Sequence, residues 1–168
     1  MADDLKKLLV VDTSESDRNA LKNILSNEFQ IVEADNGYAA LEMLQSAKPP
    51  FDGMMMEVSM PVMGGFDVMR LMQENGIKGL PVFLMTADAT KENIEKAVEL
   101  NAAEFIRKPF DKAELLRRLK AKMGVVSYHD VSEEDIAETG EYITRLEETY
   151  KKYLTNAGKE KESGHHKP

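Results

Sequence analysis

From residue 8 to residue 123 the chain alternates short apolar runs with amphipathic stretches. Leu8 to Val11, Met54 to Met56, Val82 to Met85 and Phe105-Ile106 are apolar on successive positions and bounded by turn or helix-start residues. Runs of that kind suit strands covered on both faces. Ile31-Val32 adds a fifth, weaker run. Between them, helical spacing places Ala20, Leu21, Ile24 and Leu25 on one face of Ser16 to Ser26, and Ala40, Leu41 and Leu44 on one face of Tyr38 to Ala47. Val68, Met69 and Met72 do the same within Phe66 to Glu74. Ile94, Ala97 and Val98 mark a fourth helix, and Leu115, Leu116, Leu119 and Met123 a fifth. Five alternations of strand and helix call for right-handed crossovers and an α/β, doubly wound, five-stranded parallel sheet. In such sheets the chemistry collects beyond the carboxyl ends of the strands. That edge carries Asp12 and Thr13, then Glu57 and Ser59, then Thr86, then Lys108.

The pattern changes after Met123, so the reading divides the chain into a domain over 1–123, a linker over 124–131, an amphipathic C-terminal helix over 132–157 and a disordered tail over 158–168. Ser132 with Asp135 resembles a capping box, and acidic residues at the start with Lys151 and Lys152 near the end suit the helix dipole. Ile136, Thr139, Ile143, Leu146, Tyr150, Tyr153 and Ala157 trace a heptad seam. About three heptads are marginal alone, and Gly140 weakens the middle, so the stripe calls for a partner surface: this chain's own domain, a second copy or a target. Comparing the sedimentation mass of the full chain with that of a form ending at Met123 separates these, since equal monomeric masses remove the dimer.

Composition narrows the function. A formal net charge of -8 argues against a sequence-blind nucleic-acid surface. With no cysteine, disulfides, thiolate zinc sites and thiol catalysis are excluded. No segment is long and apolar enough to span a bilayer, Met1 to Lys7 lacks the features of a signal peptide, and the expected location is the cytoplasm. His165 and His166 fall in the tail without other ligand types nearby. Met54, Met55, Met56, Met60 and Met63 cluster within ten positions and read chiefly as core. Asp52 precedes its strand, at the wrong end of the sheet for the edge described above.

The strings LLVVDT (Leu8 to Thr13) and MEVSMPVMGG (Met56 to Gly65), the pair Thr86-Ala87 and the string KPF (Lys108 to Phe110) fall in the order and spacing of a response regulator receiver domain. The resemblance, which takes in the chemotaxis-type receivers, covers about three quarters of the chain. It implies the flavodoxin-like strand order 2-1-3-4-5. It also implies a pocket in which two acidic residues after the first strand and an aspartate after the third hold Mg²⁺, and that aspartate takes a phosphoryl group from a histidine kinase. Asp12, Thr86 and Lys108 match. Thr13 replaces the second acidic ligand, Gly64 replaces an acid common before Gly65, and Glu57 stands at the phosphoacceptor position. The resemblance further makes Thr86 the switch hydroxyl, Phe105 a switch aromatic without a hydroxyl, and Lys108-Pro109 a cis-proline junction. A plain core role is the alternative for Phe105.

The extra methylene of Glu57 carries its carboxylate about 1.5 Å further from the backbone. An error of about 1 Å can cost on the order of a hundredfold in rate, so efficient phosphoryl transfer to Glu57 is not expected. With one lysine against two carboxylates, Asp12 and Glu57, the demand for Mg²⁺ is weakened but not abolished; Ser59 offers only its backbone. Three readings stay open. Glu57 reaches Lys108 and the Thr86 hydroxyl and holds an active-like state; or it fills the pocket and the switch is lost; or it accepts phosphate slowly. The expected function is a phosphorylation-independent signalling module acting through protein partners, not an enzyme. The alternatives are a working Mg²⁺-dependent receiver and the regulatory piece of a longer response regulator. Partners would be a histidine kinase or a downstream protein. A homodimer would use the 132–157 helix or the mixed-charge face of the fourth helix, fifth strand and fifth helix, which carries Lys91, Glu92, Glu95, Lys96, Glu99, Lys112, Glu114, Arg117 and Arg118.

Overall fold

The computed structural model describes residues 5–124. The linker beyond Gly124, the helix over 132–157 and the tail over 158–168 lie outside the described residues. Five strands and five helices alternate: β1 Lys6–Val11, α1 Glu15–Leu25, β2 Phe29–Ala34, α2 Gly37–Ser46, β3 Gly53–Glu57, α3 Gly65–Glu74, β4 Val82–Thr86, α4 Lys91–Glu99, β5 Glu104–Arg107 and α5 Lys112–Met123. All pairings are parallel and the order is β2-β1-β3-β4-β5, as expected.

Successive residues of each central strand serve opposite cores, which explains why these runs are apolar at every position. Leu9, Val11, Met54, Met56 and Leu84 pack with Ala40, Val68, Met69, Met72 and Ala97 from α2, α3 and α4. Leu8, Val10, Met55, Phe83 and Met85 pack with Leu21, Leu25, Leu115, Leu119 and Met123 from α1 and α5. The methionines of β3 are wholly buried and split between the two faces, so they are core. The half-buried strand β2 lies at the sheet edge, which accounts for its weak apolar signal.

The helices begin where polar caps stand. Ser14, Asn36, Thr90 and Asp111 each accept a hydrogen bond from the backbone N–H three residues on, satisfying a donor that the first turn leaves free. Gly124 ends α5 in the left-handed region at φ 70°. Asp52 takes the Lys7 backbone N–H at 2.7 Å, pinning the start of β3 beside β1, far from the carboxyl edge.

At the start of α3 two glycines meet the end of β3. A Cβ on Gly65 would lie 2.7 Å from the Glu57 carbonyl oxygen, and one on Gly64 2.8 Å from that of Val58. Both obstacles are backbone. The close approach is sealed by the Gly65 N–H donating to Val58 O at 2.9 Å. Gly65→Ala is therefore expected to lower stability by about 1–3 kcal/mol, the range for overpacking a tight contact, seen as a lower urea midpoint at unchanged slope.

Candidate functional site

Strand pairing brings the edge residues together. β1 ends at Val11, and Asp12 follows with its N–H donating to Ala34 O; Glu57 closes β3 opposite Met85; Thr86 closes β4 opposite Arg107; and the Lys108 N–H donates to Thr86 O at 2.9 Å. Asp12, Glu57 and Thr86 are buried, whereas Thr13 and Ser59 are exposed. The Lys108-Pro109 peptide bond is cis, as is Lys48-Pro49.

The centre of the pocket is the Lys108 ammonium. Its Nζ stands 2.7 Å from Asp12 Oδ2, 2.7 Å from Glu57 Oε2 and 2.7 Å from Asp17 Oδ2. An ammonium has three hydrogens to offer, and three carboxylates surround it. The bonds to Asp12 and Asp17 are well directed. Glu57 Oε2 lies off the hydrogen-bond direction, so this buried oxygen has an ion pair but no hydrogen bond. Its neighbour Oε1 accepts from the Ser59 N–H at 3.3 Å. Asp12 Oδ1 accepts from the Ser14 N–H at 2.9 Å, and the Arg18 guanidinium donates to Asp12 O at 2.7 Å.

Two points of the sequence reading change. The count of two carboxylates against one lysine is wrong, because Asp17 on α1 is a third. It lies in the first turn of α1, where the sequence pattern is read through its apolar positions alone. Of the three open readings, the one in which Glu57 reaches both Lys108 and the Thr86 hydroxyl is met at Lys108 alone: Thr86 Oγ1 accepts from the Asp88 N–H at 3.0 Å in a local turn and makes no hydrogen bond with Glu57. Gly64 has a steric reason, since any side chain there would meet Val58 O. Phe105 is half-buried and packs against the core on the α2, α3 and α4 side. Val62, in the loop between Glu57 and α3, is fully exposed and sits at φ 69°, a strained conformation for a β-branched residue.

The sequence pattern that defines the response regulator receiver domain matches residues 8–120. The chain belongs to that family. CheY of Halobacterium salinarum is 37% identical over 112 residues, spanning 66% of this chain and 91% of its own. The probable transcriptional regulatory protein SilR of Salmonella typhimurium is 33% identical over 116 residues, 69% of this chain but 50% of its own. The chain thus spans about half of one curated relative and 5% of another, a hybrid signal transduction histidine kinase of Dictyostelium discoideum. Among solved structures, CheY4 of Vibrio cholerae superposes with a TM-score of 0.63 at 28% identity, covering 70% of this chain and 98% of that one. Receiver domains are the signalling modules of two-component response regulators. They meet histidine kinases and downstream targets, and they typically bind Mg²⁺ at the phosphorylation site. Among the described residues no helix is long and apolar enough to cross a membrane.

The carboxylate oxygens here suit a hard cation in chemistry, but their arrangement does not fit one. No three acidic or imidazole groups among the described residues converge as a ligand set, because the Lys108 ammonium holds the carboxylates instead. The electrostatics agree. Burial alone would lower the Lys108 pKa, yet the hydrogen bonds to Asp12 and Asp17 and the negative charge of Glu57 outweigh it and hold the group above its ordinary value. Burial raises the Glu57 carboxyl above its ordinary value, against the pull of Lys108 and the Ser59 N–H, with the negative charge of Asp12 adding to the rise.

Two outcomes follow. Between the ordinary glutamate value and the raised one, the folded protein holds a proton on Glu57 that the unfolded chain has lost, so stability falls as pH rises through that window. Urea unfolding of Glu57→Gln should lack this fall. The Lys108 contribution has the same sign in a far more alkaline window: it is complete below about pH 10.5, the ordinary lysine value, and is lost only as pH climbs through the raised folded-state value. Lys108→Met strands three carboxylates without a cation and should cost about 3 kcal/mol in urea unfolding at neutral pH. That is the low end for breaking a buried pair, because the Asp17 side chain is 42% exposed.

Proposed function

We propose that this receiver works as a phosphorylation-independent signalling module, in which Glu57 is a structural partner of Lys108 rather than a phosphoacceptor. The observation that carries the reading is the buried contact of Glu57 Oε2 with Lys108 Nζ at 2.7 Å. A phosphoryl acceptor needs a free carboxylate oxygen in line with the donor and a cation ready to take the incoming charge. Here the acceptor oxygen and the lysine are committed to each other, and the lysine is committed twice more. The longer side chain adds misplacement, at about a hundredfold in rate per ångström.

The same geometry favours a silent pocket over an active-like one. A ligand shifts a two-state element only by its differential interaction with the two states. Glu57 makes no hydrogen bond to Thr86, whose Oγ1 accepts from the Asp88 N–H, so the carboxylate has no hold on the switch residue. Thr86 and Phe105 are thus left in a resting arrangement, and signalling proceeds by docking of protein partners on a preformed surface. The mixed-charge face of α4, β5 and α5 is the candidate surface, with a histidine kinase or a downstream target as the partner. Mg²⁺ has a minor place: Asp12 and Glu57 would be its carboxylate ligands only if Lys108 let them go.

A second reading, that the chain is the regulatory part of a longer regulator, has one observation in its favour. It spans half of SilR. The segment after Gly124 would then lead toward an output domain.

Intact mass after incubation with acetyl phosphate and Mg²⁺ tests the proposal directly. Wild type should gain no phosphoryl group and Glu57→Asp should gain one. In amide NMR the Thr86 and Phe105 signals of wild type should coincide with those of unphosphorylated Glu57→Asp. A phosphoryl adduct on Glu57, or wild-type signals matching the phosphorylated variant, would overturn it.

A further inference from the structure

The pocket contains one acidic group that the receiver pattern does not supply. Asp17 is the third residue of α1, and its position is fixed at both ends. Its backbone N–H is held by the Ser14 cap at 3.2 Å, and its carboxylate takes a well-directed bond from Lys108 at 2.7 Å. Helix α1 is in turn stitched to the sheet by the next residue. Arg18 donates to Asp12 O at 2.7 Å and pairs with Glu33 of β2 at 3.4 Å, while Lys22 pairs with the same Glu33 at 3.2 Å. The first two turns of α1 are therefore joined to the pocket through charged groups, whereas the Thr86 hydroxyl has no bond to Glu57.

We propose that Asp17 is a positioning residue: it supplies the carboxylate that position 13 lacks, holds the Lys108 ammonium between Asp12 and Glu57, and carries the pocket's charge state into the first turn of α1. Thr13 is exposed and brings no charge, and Glu57 pairs with Lys108 without a directed hydrogen bond, so without Asp17 the ammonium would have one directed anionic acceptor, Asp12. Asp17 adds a second, from a helix instead of from the strand end. Charge-assisted bonds of this length are the strong ones, and several on one ammonium fix a side chain that otherwise has four rotatable bonds. The consequence is directional. A change at Glu57 alters the charge against which Lys108 is balanced, and the element that feels the change is α1. The proposal rests on the reading of Lys108 as the pocket's resident cation, but not on whether Glu57 can be phosphorylated.

The test is NMR of the full chain with lysine ¹⁵Nζ and backbone ¹⁵N labels. An ammonium held by three carboxylates exchanges its protons slowly, so wild type should show a Lys108 Nζ–H resonance. That resonance should be lost in Asp17→Asn and return in Asp17→Glu, whose charge can still reach. Glu57→Gln should shift the amides of Glu15 to Lys22 in the wild-type background and leave them in place in the Asp17→Asn background. Circular dichroism melts accompany each variant. If Asp17→Asn melts early, Asp17→Ser, which keeps a small polar residue in the first turn, replaces it. An unchanged Lys108 resonance without Asp17, or α1 shifts that persist without it, overturns the proposal. The mass measurement on wild type is independent, so failure of this coupling and failure of the proposed function are separately visible.

Discussion

Carboxylates gathered at the end of a parallel sheet repel one another unless a cation stands among them, and in this fold that cation is the ammonium of Lys108. β1 contributes Asp12, β3 contributes Glu57, α1 contributes Asp17, and the segment after β5 contributes the lysine itself. Three stretches of the chain, around residues 12–17, 57 and 108, thus meet at one ammonium, and each of the three anions lies at the same 2.7 Å. Desolvation makes such a cluster costly to assemble and more costly to break partway, because any single deletion leaves uncompensated charge in a poorly solvated place. The arrangement gains its force from company: the Ser14 and Ser59 N–H groups and the Arg18 guanidinium cover the remaining oxygens of β1 and β3.

Much of this was legible in the sequence. Runs apolar at every position announced strands covered on both faces, and the split of Met54, Met55 and Met56 between two cores is the physical reason for that pattern. The carboxyl-edge residues were also legible, because topology places them there whatever the loops do. What escaped were facts that depend on direction rather than position. Asp17 lies on a helix whose reading counted apolar residues only, and the sequence shows that it is acidic without showing that it aims at Lys108. An acid one turn into the helix that follows Asp12 is the signal that would have found it. Thr86 closes β4 at the edge where the pattern put it, and its Oγ1 accepts from the Asp88 N–H in a local turn, a short-range bond that the pattern of apolar runs does not show.

Gly64 and Gly65 show a different kind of limit. A missing acidic residue before α3 reads as charge withdrawn from the pocket, but the backbone leaves no room for a side chain: carbonyl oxygens of Val58 and Glu57 stand where a Cβ would be. Sterics settled that position before electrostatics had a say. The chain's electrostatic economy is therefore written mainly at Thr13, Asp17 and Glu57, three positions where a side chain is free to differ.

Val62 extends this to the loop between Glu57 and α3. The two glycines anchor the far end of that loop, and Glu57 anchors the near end, so the residues between them must close a fixed span. Val62 sits in that span with a branched, wholly exposed side chain in left-handed backbone, and it has no burial to set against the strain. The tension of the loop is concentrated at its most solvent-accessible point. Any partner that covers the valine would relieve the loop of an exposed apolar group while leaving the buried ammonium undisturbed, so the pocket's rim can adapt without its centre being rebuilt.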